Sequence, residues 1–374
     1  TDSQTLPNLP EEWRSRPVST RPDVPGHRSS LVVAETNIAQ VLYRLGENND
    51  ALMHVQTALE QAMTVVNADQ TNPESHALEV YVRVTFGQIL RDLSMFSDAE
   101  LAFKSSDDIC RELVEAFSEN GSYRRLYGEV KNNVGILYLL DGPADDAQQA
   151  FVSAIVDFDS ALKINPRDTL ARNGRAWALN YLADAQLQLG QVDKAARSYG
   201  QAIAERTNLC GTTNAGITEY HVARAWLLLT CPDESLRDVV AGEAIAEGLV
   251  MDDPGSGQFH MLHALAQLRA KNYPGSITSL NKTALVRMSK KSPVGFIRAM
   301  ALWLNGNKPG AVTAWESAEK LMNEAAPGDI KLRQLRVESA KLLGIDQSEK
   351  SPEPESGTQT TDAPKPDGAT KAGN

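Results

Sequence analysis

The stretch "NYLADAQLQLGQVDKAARSYGQAIA", residues 180–204, places Ala183, Gly190, Ala195 and Ala202 at fixed steps around one bulky residue, Tyr199. The same steps recur upstream at an interval of 48 residues. Ala39, Gly87, Gly135 and Ala183 form one column, and Gly46, Ser94, Gly142 and Gly190 a second. Ala51, Ala99, Ala147 and Ala195 form a third, Val55, Phe103, Phe151 and Tyr199 a fourth, and Ala58, Ser106, Ala154 and Ala202 a fifth. Five columns in register over four copies mark a solenoid, in which one supersecondary unit stacks on the next.

Each column has a mechanical reading. The first small residue lies before the Gly, on a first helix, and the Ala after the Gly lies on a second. Small side chains at facing positions let two helix backbones approach closely. The large residue, four positions after that Ala, and the small one three further on share its face. The Gly, replaced by Ser94 in the second copy, ends the first helix, where a left-handed conformation is cheap only for Gly. Asn49, Ser97, Asp145 and Asp193 recur at the same interval and suit the cap or first turn of the second helix. Each copy is therefore expected to be a helical hairpin.

These columns resemble the tetratricopeptide repeat, carried in the fourth copy by Leu182, Ala183, Gly190, Ala195, Tyr199 and Ala202. That family's unit is about 34 residues long. The resemblance implies a lengthened second helix and connection here, in "ALEQAMTVVN" and "DICRELVEAF". Weaker copies follow. Ala299, Gly306, Ala311, Trp315 and Ala318 keep the internal spacing, and Ala264, Lys271, Ser276 and Leu280 keep part of it. A further hairpin is expected over 219–250. The expected fold is all-α: an α-solenoid of about seven tetratricopeptide-like hairpins, with a C-terminal capping helix, "DIKLRQLRVESAKLLG", on the exposed end of the stack.

Residues 1–29 carry five prolines and no regular period, and read as a Pro-rich extended linker. Residues 30–208 hold the four regular copies, and 217–345 the three degenerate copies with the capping helix. Residues 346–374 contain no aromatic side chain and no Ile, Leu, Val or Met. Such a segment cannot offset its ordering entropy and is expected to be a disordered acidic tail.

Composition narrows the function. Apolar residues make up 42% and aromatics only 6%, which favours helices over sheets. A net charge of -11 argues against nucleic acid and anionic membrane as partners, because phosphate neutralisation needs a basic face. It suits partners that are proteins or basic peptides. The three cysteines are far apart and form no CxxC pair, which fits a reducing compartment. No apolar run approaches the ~20 residues of a membrane span, and no signal-peptide pattern is present, so a cytoplasmic location is expected. The chain begins at Thr1 rather than Met, as a processed chain or a piece of a longer one does.

A narrower resemblance lies downstream. "ARAWLLLTCPDESLRD" at 223–238, "FIRAMALWLNGNKPGAVTAWESAEKLM" and "LRQLRVESAKLLG" resemble segments that follow, in this order, the helical repeats of planctomycete-type serine/threonine protein kinases. The resemblance covers residues 30–345 and implies either the repeat portion of a larger kinase or a stand-alone relative. Pro232 and Asp233 would end one helix and start the next, and Arg237 would bind local carboxylates or carbonyls. There is no Gly-rich phosphate loop, VAIK-like lysine, HRD loop or DFG, so this chain does not transfer phosphate by that mechanism.

No other catalytic constellation can be assembled. Of the six histidines only His260 and His263 can share a helix face, and a metal site there would need a carboxylate or a third ligand nearby. Gly121 and Gly211 lie in polar loops with no preceding strand, so neither reads as a nucleotide cradle. "DGPADDA" and "MDDPGS" lack the alternating oxygen ligands of a calcium loop. Arg124 and Arg125 make a small basic patch that reads as a solvated helix start. No cofactor and no metal is expected.

A stack of hairpins curves into a superhelix whose concave face is lined by the first helix of each pair. The candidate partner-binding residues on that face are Gln40, Tyr43, Arg44, Gln88, Arg91, Asp92, Asn132, Asn180, Asp184 and Gln188. Amides can bond a ligand backbone at donor and acceptor together, and Arg can fork onto a carboxylate. The expected function is a non-catalytic scaffold for a protein or peptide partner, in the kinase reading a regulatory arm. Two alternatives stand beside it. In one, self-association or the chain's own acidic tail fills the concave face; in the other, the chain is an enzyme with an unrecognised site.

Overall fold

A computed structural model describes residues 25–212, 217–283 and 292–345. The acidic tail and residues 1–24 of the expected linker lie outside the described residues. The first four hairpins are α1 (Pro25–Leu45) with α2 (Asn48–Ala68), α3 (Pro73–Asp92) with α4 (Phe96–Ala116), α5 (Gly121–Asp141) with α6 (Ala144–Ile164), and α7 (Thr169–Gln188) with α8 (Val192–Thr212). Three shorter ones follow: α9 (Ile217–Thr230) with α10 (Val239–Asp252), α11 (Gly257–Arg269) with α12 (Tyr273–Thr283), and α13 (Val294–Leu304) with α14 (Lys308–Ala325). A last helix, α15, spans Ile330–Leu343. Among the described residues there is no strand, and the helices form consecutive antiparallel pairs, an all-α solenoid. First helices also touch first helices (α1 with α3, α3 with α5, α5 with α7), which makes them the inner wall.

The repeat columns are the contact points of each hairpin. Ala51, Ala99, Ala147 and Ala195 are fully buried, as are Val55, Phe103, Phe151 and Tyr199. Size is traded across the helix pair. A Cβ on Gly87 would lie 2.5 Å from the Phe103 ring, and one on Gly135 2.6 Å from Phe151. Where the large partner is Val55 or Tyr199, the facing residue is Ala39 or Ala183 instead, both fully buried. Glycine in mid-helix costs about 1 kcal/mol relative to Ala, a cost offset here by the ring that occupies the place of its side chain.

The turns follow the Gly column with one exception. Gly46, Ser94 and Gly190 have φ of 82°, 61° and 70°, and Lys271 and Gly306, at the same place in the later copies, 62° and 89°. In the fourth copy Gly190 N–H bonds Leu187 O and Gln191 N–H bonds Gln186 O, satisfying carbonyls that the helix end leaves free. Gly142 instead is extended, with φ -136° and ψ -175°. Pro143 follows it, and the residue before proline is pushed to extended backbone.

Three expectations change in detail. The added length is not confined to the second helix: α3 and α7 have 20 residues, and α1, α2, α4, α5, α6 and α8 have 21. Asn49, Ser97 and Asp145 lie in the first turn of the second helices, while the caps are Glu47, Met95 and Pro143, which make no side-chain cap bond. In these regular copies side-chain capping falls on the first helices, through Asn72, Asn120 and Asp168, whereas later Asn272 and Asn307 cap second helices. The longer link between the regular hairpins leaves helix donors for a side chain to satisfy. Finally, α1 begins at Pro25, inside the stretch expected to be extended; proline suits a first helical position, where its missing N–H is not needed.

The segment 223–238 forms the bend between α9 and α10. Asp233 caps a short 3-10 turn, Glu234–Leu236, and Arg237 donates to Cys231 O at 2.7 Å and to the Glu234 carboxylate at 3.2 Å. From there one apolar core runs to the end of the described chain, through Leu229, Leu262, Phe296, Trp315, Leu332 and Leu335.

Candidate functional site

The inner wall curves around the chain's own last helix. One face of α15 packs on the final hairpin: Leu332, Leu335, Ala340 and Leu343 are buried there, and Trp315 Nε1 donates to Ser339 Oγ at 3.0 Å. Asp329 caps its start, and Gly344, with φ 71°, its end. The opposite stripe, Lys331, Gln334 and Glu338, faces the concave side, at the i, i+3, i+7 spacing of one helix face. The Lys331 ammonium lies 4.4 Å from the Trp177 ring centre and 5.8 Å from that of Trp226. Gln334 donates to Asp184, 150 residues away. Arg269 forks onto Glu338 and also donates to Leu229 O at 2.9 Å. Ile330 packs against the cluster of Leu139, Phe151 and Tyr181.

The turn before α15 reaches further back. Asn48, at the start of α2, donates to Ala325 O across 277 residues. Gly328 N–H bonds Asp92 O at 3.0 Å. A Cβ on Gly328 would lie 2.1 Å from Arg91 O, so only glycine lets the turn rest on the end of α3. The last hairpin and the turn before α15 thus touch the first two hairpins, and the superhelix closes on itself.

The candidate partner residues divide into two groups. Several bond the neighbouring repeat. Gln40 donates to Tyr81 and Thr85 at 3.0 and 3.2 Å, and Tyr43 donates to Asp92. Gln88 and Arg91 both donate to Asn133, each at 3.1 Å, and Arg91 also pairs with Asp92 at 3.0 Å. Asn132 is buried with its Oδ1 unpartnered, and Arg44 is exposed. In the fourth copy Asp184 and Gln188 line open space beside α15, while Asn180 lines only a small cavity of about 20 Å³. Burial raises the Asp184 carboxyl to about 6, although Tyr199 and Gln334 both donate to it.

Beside α15 an open groove of about 1040 Å³ remains. Its apolar wall includes Leu139, Trp226, Tyr273, Met300 and Leu304. Its charged lining is mostly basic. Arg237 and Arg269 are held by Glu234 and Glu338, Arg333 donates to Pro327 O, and Lys271 and Lys341 are exposed. The sign of the groove is therefore opposite to that of the acidic chain. Sequence reasoning missed Trp177, Arg206, Trp226 and the groove face of α15. Arg206 carried a signal: Ala62, Cys110 and Phe158 hold its place at 48-residue steps in the other copies.

The residues that could hold a metal ion, among those described, are Glu243, Glu247 and His263, with ligand atoms within 4.8 Å of one another. They supply the carboxylates that the His260–His263 spacing alone lacked. The Glu247 side chain is 57% exposed, and its 3.9 Å approach to His263 is a loose surface contact. No helix among the described residues is long and apolar enough to cross a membrane.

No protein-family model matches this sequence, and no curated protein is similar to it in sequence. Solved structures with similar architecture include a tetratricopeptide repeat protein from Parabacteroides merdae, 15% identical, with a TM-score of 0.46, covering 84% of this chain and 99% of that one. A thermophilic tetratricopeptide repeat protein of Thermus thermophilus is 18% identical, with a TM-score of 0.34, covering 56% and 98%. The TPR2AB domain of yeast Sti1, in its complex with pHSP90, is 13% identical, with a TM-score of 0.27, covering 83% and 99%.

Proposed function

We propose that this chain is a non-catalytic interaction scaffold that receives a segment of a protein partner in the groove beside α15. The observation that carries the reading is the groove itself: about 1040 Å³, walled by Trp226, Tyr273, Met300 and Leu304, with Lys271 and Lys341 at hand. An aromatic and aliphatic floor with a few charged side chains is how such surfaces hold a ligand. The basic lining favours an extended segment with acidic residues over the basic peptides that the net charge alone suggested. Of the candidate residues, Asp184 and Gln188 line this groove and are the proposed contacts. The likeness of 223–238 to planctomycete-type kinases supports placing the scaffold as the regulatory arm of such a kinase.

A photo-crosslinking residue placed at Tyr273 or Leu304 tests this, with controls on the outer helices at Leu101 and Val156, which are 64% and 59% exposed. The expected result in the source cells is a discrete heteromeric adduct from the groove positions only. Adducts from the outer positions alone, or only adducts of the chain with itself, would overturn it; the latter would favour the self-association reading.

A further inference from the structure

Behind the inner wall, α8 holds a charge where the repeat calls for an apolar side chain. Arg206, on α8, is 1% exposed. In the other regular copies its place is taken by Ala62, Cys110 and Phe158, all fully buried. The Arg206 guanidinium carbon sits 4.1 Å from the Trp177 ring centre. Its Nε and Nη1 have no hydrogen-bond partner. Burial lowers its pKa to about 10, so it remains a cation at neutral pH. The groups that offset this burial are Tyr181 and Cys210, and burial raises both of their pKa values, so neither supplies a negative charge near pH 7.

Arg206 lines a cavity of about 20 Å³ together with Trp177, Tyr181, Trp226, Lys331 and Asp184, whose carboxylate is engaged by Tyr199 and Gln334. Lys331 brings a second cation from α15; burial pushes its pKa down, Asp329 and Glu219 act against that shift, and Arg206 adds to it. A space of this size holds one or two particles as large as water. No carboxylate offsets the Arg206 charge, and a buried cation without a counter-charge is strongly unfavourable. A neutral water can accept from the guanidinium but leaves that charge uncompensated. A wider cleft of about 260 Å³ shares the Trp177, Trp226 and Lys331 walls.

We propose that this cavity binds one small monovalent anion, of chloride size, held between Arg206 on α8 and Lys331 on α15, with Tyr181 as a further donor. The anion joins α8 to α15, so α15 seats more firmly when the anion is present. The cavity adjoins the partner groove, sharing Asp184, Trp226, Lys331 and Gln334 with it, but its test does not depend on any partner.

Bromide is the probe, because it is close to chloride in size and quenches tryptophan, and Trp177 forms one wall. The full chain is titrated with sodium bromide at constant ionic strength, balanced with sulfate, which the cavity is too small to admit. The expected result is a saturable phase of fluorescence quenching above the linear collisional one, and a Tm that rises and then levels with bromide but not with sulfate. Arg206→Leu restores the apolar column and should fold, as far-ultraviolet circular dichroism will show; it should abolish the saturable phase and the halide-specific Tm shift. Lys331→Gln should weaken both. Purely linear quenching in the parent chain, as expected if only water fills the cavity, overturns the proposal. So does a saturable phase that survives in Arg206→Leu.

Discussion

Gly135 shows how the repeat works at the scale of one residue. Its missing side chain is the space into which Phe151 fits, and a Cβ there would meet the ring at 2.6 Å. Gly135→Ala should lower stability by about 1–3 kcal/mol through overpacking, despite the better helix propensity of Ala, and Phe151→Leu on that background should restore part of the loss. Urea unfolding of the two variants measures both. Asp184 gives a pH prediction at the same scale. Its folded pKa, about 6, lies above that of an ordinary carboxylate, so the folded state holds a proton that the unfolded chain has released. Stability contributed at this site is therefore full below about pH 4 and falls as pH rises toward 6, by at most about 3 kcal/mol. Asp184→Asn should flatten that fall in chemical denaturation measured from pH 4 to 7. An unchanged slope would mean that Asp184 stays ionised through the window.

Among the elements, α15 has two roles that its amphipathic pattern does not separate. Its apolar face ends the stack, as terminal elements of solenoids must. Its polar face, through Lys331, Gln334 and Glu338, meets α7, α9 and α11. What places it there is the short turn through Gly328, pressed against Arg91 O. Gly328→Ala cannot keep that contact, because the obstacle is backbone rather than a movable side chain. The variant should lift the start of α15 from the end of α3, with faster amide exchange over residues 328–335 and little change within α5 and α6. Unaltered exchange across α15 would show that its seat does not rest on this turn.

Across the whole molecule, the closure changes how the solenoid is held together. In an open stack each repeat touches only its neighbours, and stability is a sum of nearest-neighbour terms. Here Asn48 and Asp92, in the first two hairpins, meet the turn that follows the seventh, so opposite ends of the chain support each other. Charge is distributed at this scale as well. A chain of net charge -11 keeps basic side chains around α15 and its groove, which concentrates its attraction for anionic groups on the inner side.

The hairpin was legible in the sequence because its contacts are local and repeat. Ala39 facing Val55, Gly135 facing Phe151 and Ala183 facing Tyr199 are each 16 residues apart, close enough to be written four times at one period. The same locality made the turn glycines readable, apart from Gly142, where a neighbouring proline decided the backbone. Arg206 was legible only as a break in a column that had not been drawn. The groove was not legible at all. Gln40, Gln88 and Arg91 read as free polar residues, and only stacking showed that the next repeat takes their hydrogen bonds. Sequence by itself thus determined the unit and its periodic stacking, since both depend on short-range matching of small and large side chains. The path of α15, the closure through Gly328 and the buried cations beside Trp177 were decided by the tertiary structure, because contacts such as Asn48 with Ala325, 277 residues apart, occur once and leave no period to read.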